Sequence, residues 1–243
     1  MKKSGPACVL LLFIILPLLC DAQSLQPPPI DSNALKLAIL TYTRSNAAEA
    51  RLYNGILYPG YNRQAKGHPF FLVDSFITAS IDYDGILYPM LPLSYDLEKD
   101  IVITPNKKQN TTIQLLTEKV SGFTIDGHNF IYLLPDSSAV NPPPPGFYEV
   151  LYKGSTTALV RHRKLVQAGI HIEDPSNYVQ FEDWYLDRNG HYTAIRTNSN
   201  LISTSRKQDK SLKDYLKKNH LDFRKAPAAA IAAAAEFYSR SNN

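Results

Sequence analysis

From Leu52 onward, apolar and polar residues alternate with a period of two. In "LVDSFITASIDYDG" the set Val73, Ile77, Ala79, Ile81 and Tyr83 alternates with Asp74, Thr78, Ser80 and Asp82. That is the pattern of a strand with one face on a core and the other in water. Asp84-Gly85 follows at once. A two-residue hairpin turn needs positive φ, which Asp, Asn and Gly accept at little cost, so the pair predicts a hairpin. Asn54-Gly55, Asp126-Gly127, Lys153-Gly154 and Asn189-Gly190 carry the same signal between β-like runs. Further strands are expected at "DIVIT", "TIQLL", "GFTI", "NFIYLL", "FYEVLY", "TALVRHR", "FEDWYL" and "HYTAIR".

The heptapeptide "YNGILYP", Tyr53 to Pro59, recurs as "YDGILYP", Tyr83 to Pro89, with Asn54 replaced by Asp84. Both copies read as strand, turn, strand, which would place Ile56/Ile86 and Tyr58/Tyr88 on one strand face and Leu57/Leu87 on the other. The flanks differ, so the repeat is a recurring hairpin device and not a solenoid unit. The run "RHRK", Arg161 to Lys164, reads as an exposed edge whose charges discourage sheet-to-sheet association.

Three segments break the period. Ser32 to Ala50 reads as a helix capped by Ser32, although "AILTYT" would also serve as a strand. "PDSSAVNPPPPG", Pro135 to Gly146, reads as a stiff spacer, with a polyproline ligand as the other reading. At the end, one helix runs from Asp209 or Ser211 to about Asn219, and an Ala-rich second one starts near Pro227. The fold expected is mainly β: an antiparallel β-meander forming an incomplete barrel or curved sheet, with C-terminal helices packed on it. The organisation expected is 1–22 signal peptide, 23–50 Pro-rich leader with a possible short helix, 51–205 β domain, and 206–243 helical segment.

Lys2 and Lys3, then the apolar run "VLLLFIILPLL" from Val9 to Leu19, then small and polar residues, have the order of a secretory signal peptide cleaved after Ala22. The alternative is a lipid anchor on Cys20, which the bulky Leu19 disfavours. The expected location is exported, periplasmic or extracellular. Cys8 and Cys20 both precede the cleavage point, so the mature chain would have no thiol for a disulfide or a catalytic cysteine. No later stretch is apolar for long enough to predict a transmembrane span. With 26 Lys+Arg against 22 Asp+Glu, the charge is too balanced for a nucleic-acid partner.

Local chemistry is sparse. His68, His128 and His191 each follow a glycine and read as polar rings at strand entrances, without the spacing of a zinc site. Glu173-Asp174 and Glu182-Asp183 are adjacent on the chain, so on a strand each pair splits between two faces and forms no facing acid–base dyad. Nucleotide-binding and hydrolase signatures do not occur, and the sequence points to no cofactor, no metal and no catalytic residue. The 15 Tyr, 10 Phe and 17 Pro suit an aromatic β scaffold. Tyr58, Tyr61, Tyr83, Tyr88 and Tyr95 are the expected contact residues for an apolar ligand, a carbohydrate or an envelope protein partner, since tyrosine offers a flat apolar body with a polar tip. The rival expectation is a metal- or carboxylate-dependent hydrolase using some of His68, His128, His191, Asp84 and Asp96.

The set "LYNGILYPGY", "KGHPFF", "IDYDGILYPMLPLSYDLEKDIVI", "FYEVLYKG" and "LKKNHLDFRK" resembles a family of secreted proteins of envelope-bearing, Bacteroidota-type bacteria to which no activity is assigned. The resemblance covers most of the mature chain and implies an exported, β-rich protein. It carries over no functional residue. The Ala-rich final helix departs from it, since more mixed apolar and charged residues would be expected there.

Overall fold

The computed structural model describes residues 51–134, 137–171, 173–203 and 209–241. The expected leader and the segment from Ser32 to Ala50 lie outside them. Eleven strands form one open antiparallel sheet: β1 (Ile56–Leu57), β2 (Ile77–Tyr83), β3 (Ile86–Asp96), β4 (Ile101–Asn106), β5 (Thr111–Gln114), β6 (Val120–Ile125), β7 (His128–Leu133), β8 (Gly146–Tyr152), β9 (Thr157–Gln167), β10 (Asn177–Arg188) and β11 (His191–Ile195). Their order across the sheet is β1-β5-β4-β3-β2-β6-β7-β8-β9-β10-β11. The mainly β expectation holds, with strands at every run named above.

Three of the predicted turns form as expected. Asp84-Gly85, Asp126-Gly127 and Asn189-Gly190 all have positive φ at both residues, joining β2 to β3, β6 to β7 and β10 to β11. The other two pairs do something else. Asn54-Gly55 follows a helical turn at Arg51–Leu52, and Gly55 is needed because a Cβ there would lie 2.3 Å from the Gln114 carbonyl oxygen. The first heptapeptide therefore lays an edge strand, β1, on β5, whereas the second makes a hairpin. Gly154 likewise serves a close approach, since a Cβ there would lie 2.5 Å from Ser239 Oγ. The alternation of β2 begins at Ile77, and Val73 lies outside the strand, exposed.

β3 is long because it serves two neighbours: residues up to Leu93 pair with β2, and Ser94 to Asp96 pair with β4. Register shifts between Ala79 and Ile81, and between Val150 and Tyr152, add local bends. The sheet curls far enough that the Lys164 amide of β9 donates to the Leu97 carbonyl at 3.2 Å, although β2, β6, β7 and β8 stand between β3 and β9. Inside the curl lies an aromatic core. Phe123 and Phe130 stack at 4.8 Å, Tyr95 meets them edge-on at 5.2 and 5.3 Å, and Phe71 meets Phe130 edge-on at 5.1 Å.

Phe71 belongs to no strand. It sits on a strap, residues 66–71, that crosses between the two ends of the curl. Lys66 pairs with Asn177 at the start of β10, and Phe70 pairs with Asp96 at the end of β3. The amide of Phe71 donates to Tyr95 O at 2.8 Å, and that of Leu97 to Pro69 O at 3.0 Å. The Lys164 ammonium clips the strap from beneath, donating to the carbonyls of His68 at 3.1 Å and Phe70 at 2.7 Å. This overturns the reading of "RHRK" as an exposed edge. β9 is an interior strand, Arg161 pairs with Asp100 at 2.8 Å, Arg163 with Asp183 at 2.7 Å, and His162 is buried.

The C-terminal helices α1 (Asn198–Ile202), α2 (Asp209–Lys218) and α3 (Pro227–Ser241) form a second core with β9, β10 and β11. Ala230, Ile231, Ala234, Ala235 and Tyr238 are fully buried. Small side chains let α3 approach so closely that Ser239 Oγ accepts from the Thr156 amide at 3.0 Å and donates to its carbonyl at 3.2 Å. Along the described residues 137–146, Val140 bridges His191 and the Pro144 carbonyl accepts the Tyr148 hydroxyl at 2.6 Å.

Gly85 sits at φ +72° in the β2–β3 turn. Val there should lower the free energy of urea unfolding by about 1–3 kcal/mol through backbone strain. Asp84→Asn keeps a residue that tolerates positive φ and should change it by less than about 0.5 kcal/mol. Parent-like stability of Gly85→Val would contradict the turn.

Candidate functional site

Between β1 and β2 the chain runs through residues 58–76 with no regular period, a length of loop that in a compact fold is commonly functional. It builds a cup on the sheet face opposite the aromatic core. Leu93, Tyr95, Val102 and Ile113 point into the core, so their neighbours Ser94, Ile103 and Thr112 face the other way and line the cup. The strap and its approaches supply the rest: Tyr58, Gly60, Tyr61, Arg63 and Phe70, with Asp74, Ser75 and Phe76. The cavity is about 630 Å³, within the range of small-molecule sites.

The walls are aromatic and braced. Phe70 stands between Tyr61, edge-on at 5.1 Å, and Tyr58, tilted at 6.5 Å. Tyr58 donates its hydroxyl to Asp96 Oδ2 at 2.8 Å, and Tyr61 to Asp74 Oδ2 at 2.8 Å. Burial first, and then the Asp96 carboxylate, push the Tyr58 phenol far above its ordinary range; the Asp74 hydrogen bond chiefly raises Tyr61. Both phenols therefore stay protonated at any physiological pH. Asp96 is completely buried and also accepts the amides of Glu98 at 2.9 Å and Lys99 at 3.0 Å. Lys99 reaches back over the Tyr58 ring, 5.5 Å from its centroid, and donates to Gly60 O at 3.1 Å.

One element of the loop is strained. Leu72 has φ +59°, and the Val73 amide donates to Phe71 O at 2.8 Å, a γ-turn of the rare positive-φ hand. Such strain costs about 1–3 kcal/mol and persists where surroundings enforce it. Here it lets Phe71 point into the core while Asp74, Ser75 and Phe76 reach the rim of the cup.

Of the expected contact residues, Tyr58 and Tyr61 are brought together in the cup. Tyr83 and Tyr95 are buried in the core, and Tyr88 packs on that same core. The Tyr95 hydroxyl is engaged with Asp100 Oδ1 at 2.6 Å. Missing from the sequence reading are Arg63, Phe70, Asp74, Ser75, Phe76, Ser94, Ile103 and Thr112. The residues of the hydrolase reading do not converge. His68 stacks on Phe70, Asp84 is in the β2–β3 turn 3.6 Å from Lys119, and His191 opens β11 exposed. Among the described residues no group of three or more His, Asp and Glu is placed to hold a metal ion, and no helix is long and apolar enough to cross a membrane.

A second polar constellation lies beneath the strap. His128, Glu149, His162 and Glu182 form a row across β7, β8, β9 and β10. His128 Nδ1 and His162 Nε2 lie 2.7 Å from the two Glu149 oxygens, and His162 Nδ1 lies 3.5 Å from Glu182 Oε1. Phe71 covers the row, its ring 5.1 Å from that of His128 and 5.2 Å from that of His162. Burial raises the Glu149 pKa, but the hydrogen bonds from His162 and His128 outweigh it, and the net direction is down. An ionised carboxylate only accepts, so the two imidazoles present N–H there. Both Glu149 oxygens are engaged within the row, while His162 Nδ1 is buried without a hydrogen-bond partner among the described residues, and the row is part of the support of the strap.

Comparison with known protein families, with curated proteins and with solved structures found no match to this chain.

Because the folded Glu149 holds its proton less tightly than an ordinary glutamate, its contribution to stability is present above its ordinary pKa of 4.5 and is lost as pH falls through the lower folded value. Glu149→Ala should cost on the order of 3 kcal/mol near neutrality by leaving His162 buried and unpaired. It should also flatten the fall in stability below pH 4.5, read from urea unfolding across pH. An unchanged acid limb would contradict the assignment.

Proposed function

We propose that this is an exported, non-enzymatic binding protein of the cell envelope, periplasmic or extracellular, whose site is the Tyr58–Tyr61–Phe70 cup. The observation that carries the reading is the convergence, in one cavity of about 630 Å³, of a braced aromatic wall with side-chain polar groups from two strands, β3 and β5, and a strained loop. Export is supported by the order of charged, apolar and small residues over positions 1–22 and by the resemblance to secreted proteins. Binding is preferred to hydrolysis because Asp74 is the only carboxylate among the described residues lining the cup, and no histidine lines it. An acid–base mechanism needs a facing pair.

A second cavity of about 580 Å³ lies against β7, β8 and β9, lined by Ile131, Leu133, Val150 and Leu159 beside Asn129 and Asp187. It is more aliphatic and has no comparable aromatic wall, so it ranks below the cup.

Amide NMR titration of the secreted form with neutral and acidic trisaccharides, octanoate and indole acetate tests the assignment. At least one probe should shift the amides of Ser75, Phe76, Ser94 and Thr112. Tyr61→Ala should weaken that binding at least tenfold while the melting temperature stays within a few degrees, since Tyr61 is partly exposed and its hydrogen bond to Asp74 is at the surface. No shift with any probe, or shifts confined to Ile131, Val150 and Leu159, would overturn it.

A further inference from the structure

The chemistry of the cup narrows its ligand. Tyr58 and Tyr61 spend their hydroxyl protons on Asp96 and Asp74, so each phenol oxygen faces a ligand as an acceptor. Ser75 and Thr112 add hydroxyls at the rim and floor. Ser94 is 5% exposed, and its Oγ has no hydrogen-bond partner. An unpaired buried hydroxyl costs about 1–3 kcal/mol, and this one belongs to a residue of the cup floor.

A purely apolar ligand would leave the two phenol oxygens and the Ser75 and Thr112 hydroxyls dry and unpaired. A flat aromatic acid would cover the rings but offer few donors to the phenol oxygens and Asp74. A ring that alternates C–H faces with O–H groups meets both demands: its C–H face packs on Tyr58, Phe70 and Tyr61 while its hydroxyls donate to the acceptors and accept from the serine and threonine hydroxyls. That is the surface of a pyranose.

Charge adds the second constraint. Lys99, at the Tyr58 side, is already neutralised by Asp96 at 3.6 Å and Glu98 at 3.7 Å. Arg63, at the Tyr61 side, is exposed, lies 5.6 Å above the Tyr61 ring, and forms no ion pair among the described residues. A guanidinium held by an aromatic face keeps its planar N–H fork for a second partner, and that fork matches a carboxylate in bidentate geometry. Asp74 on the same rim accepts from Tyr61 through Oδ2.

Resting on the cup as a binding site, we propose that its ligand is an acidic saccharide of the uronic-acid class, with the sugar ring on the Tyr58–Phe70–Tyr61 wall and the carboxylate on Arg63. The neutral remainder of an oligosaccharide would extend over the exposed apolar rim formed by Leu72, Val73 and Phe76.

The test uses the secreted form with trisaccharides of glucuronate, galacturonate and mannuronate, each beside its carboxyl-reduced neutral counterpart, followed by amide NMR and calorimetry. The expected result is that at least one acidic trisaccharide shifts the Ser75, Phe76, Ser94 and Thr112 amides and binds about tenfold or more tightly than its reduced counterpart, the size of one charge-assisted contact. Arg63→Gln should abolish that difference without changing the melting temperature, and Arg63→Lys should restore only part of it. Equal binding of acidic and reduced forms, or no effect of Arg63→Gln, overturns the acidic class while the cup stands as a saccharide site. No shift with any acidic or reduced trisaccharide overturns the saccharide assignment, and the octanoate and indole acetate titrations then decide separately whether the cup binds anything.

Discussion

A carboxylate with no exposed surface is costly to bury unless it is paired and hydrogen-bonded, and Asp96 meets that demand by drawing three parts of the chain together. It accepts from the Tyr58 hydroxyl, from the amides of Glu98 and Lys99, and lies 3.6 Å from the Lys99 ammonium. The first contact fixes a wall of the cup, the second pair fixes the β3–β4 turn, and the backbone of Asp96 pairs with Phe70 of the strap. With Asp96 satisfied, Phe70 and Phe71 point to opposite sides. Phe70 faces the cup, and Phe71 enters the aromatic core, where its burial is worth about 1.5–3 kcal/mol.

The strap links the two faces of the sheet energetically. On the core side it is held by Phe71 against Phe130, His128 and His162, and by the Lys164 ammonium on two strap carbonyls. The row His128–Glu149–His162 supplies a hydrogen-bonded floor for that contact, so a polar network inside the curl supports an aromatic wall outside it. The C-terminal helices are independent of this arrangement. They cover β9, β10 and β11 through a separate core in which Leu186, Ile195 and Leu216 meet Ile231 and Tyr238.

Strands and turns were legible because their signals are local: alternation in Ile77–Tyr83, and Asp-Gly or Asn-Gly where positive φ was required. Asn54-Gly55 carries the same letters with another cause, the approach of Gln114 O, and two identical dipeptides cannot tell torsion from proximity. The basic run on β9 looked like an edge because its partners, Asp100, Asp183 and the strap carbonyls, are distant in sequence. Of the cup, only Tyr58 and Tyr61 were found, on the general adaptability of tyrosine. Tyr83 and Tyr95 share that side chain but lie on the inward phase of their strands, which becomes legible only once Leu93 and Ile81 are known to be core. Arg63, Asp74 and Ser94 belong to segments with no period or to the outward phase of β3, and nothing but the fold brings them to one cavity.

The central claim, that Asp96 preforms the cup by holding the strap and Tyr58 to the end of β3, is tested most directly by amide hydrogen exchange in Asp96→Asn. Asn keeps the volume but removes one acceptor oxygen. The account predicts faster exchange of the Phe71, Leu97, Glu98 and Lys99 amides as a group, with protection of the Trp184, Tyr185 and Leu186 amides in β10 unchanged. Parent-like protection of the strap amides, or a uniform loss across both regions, would contradict it.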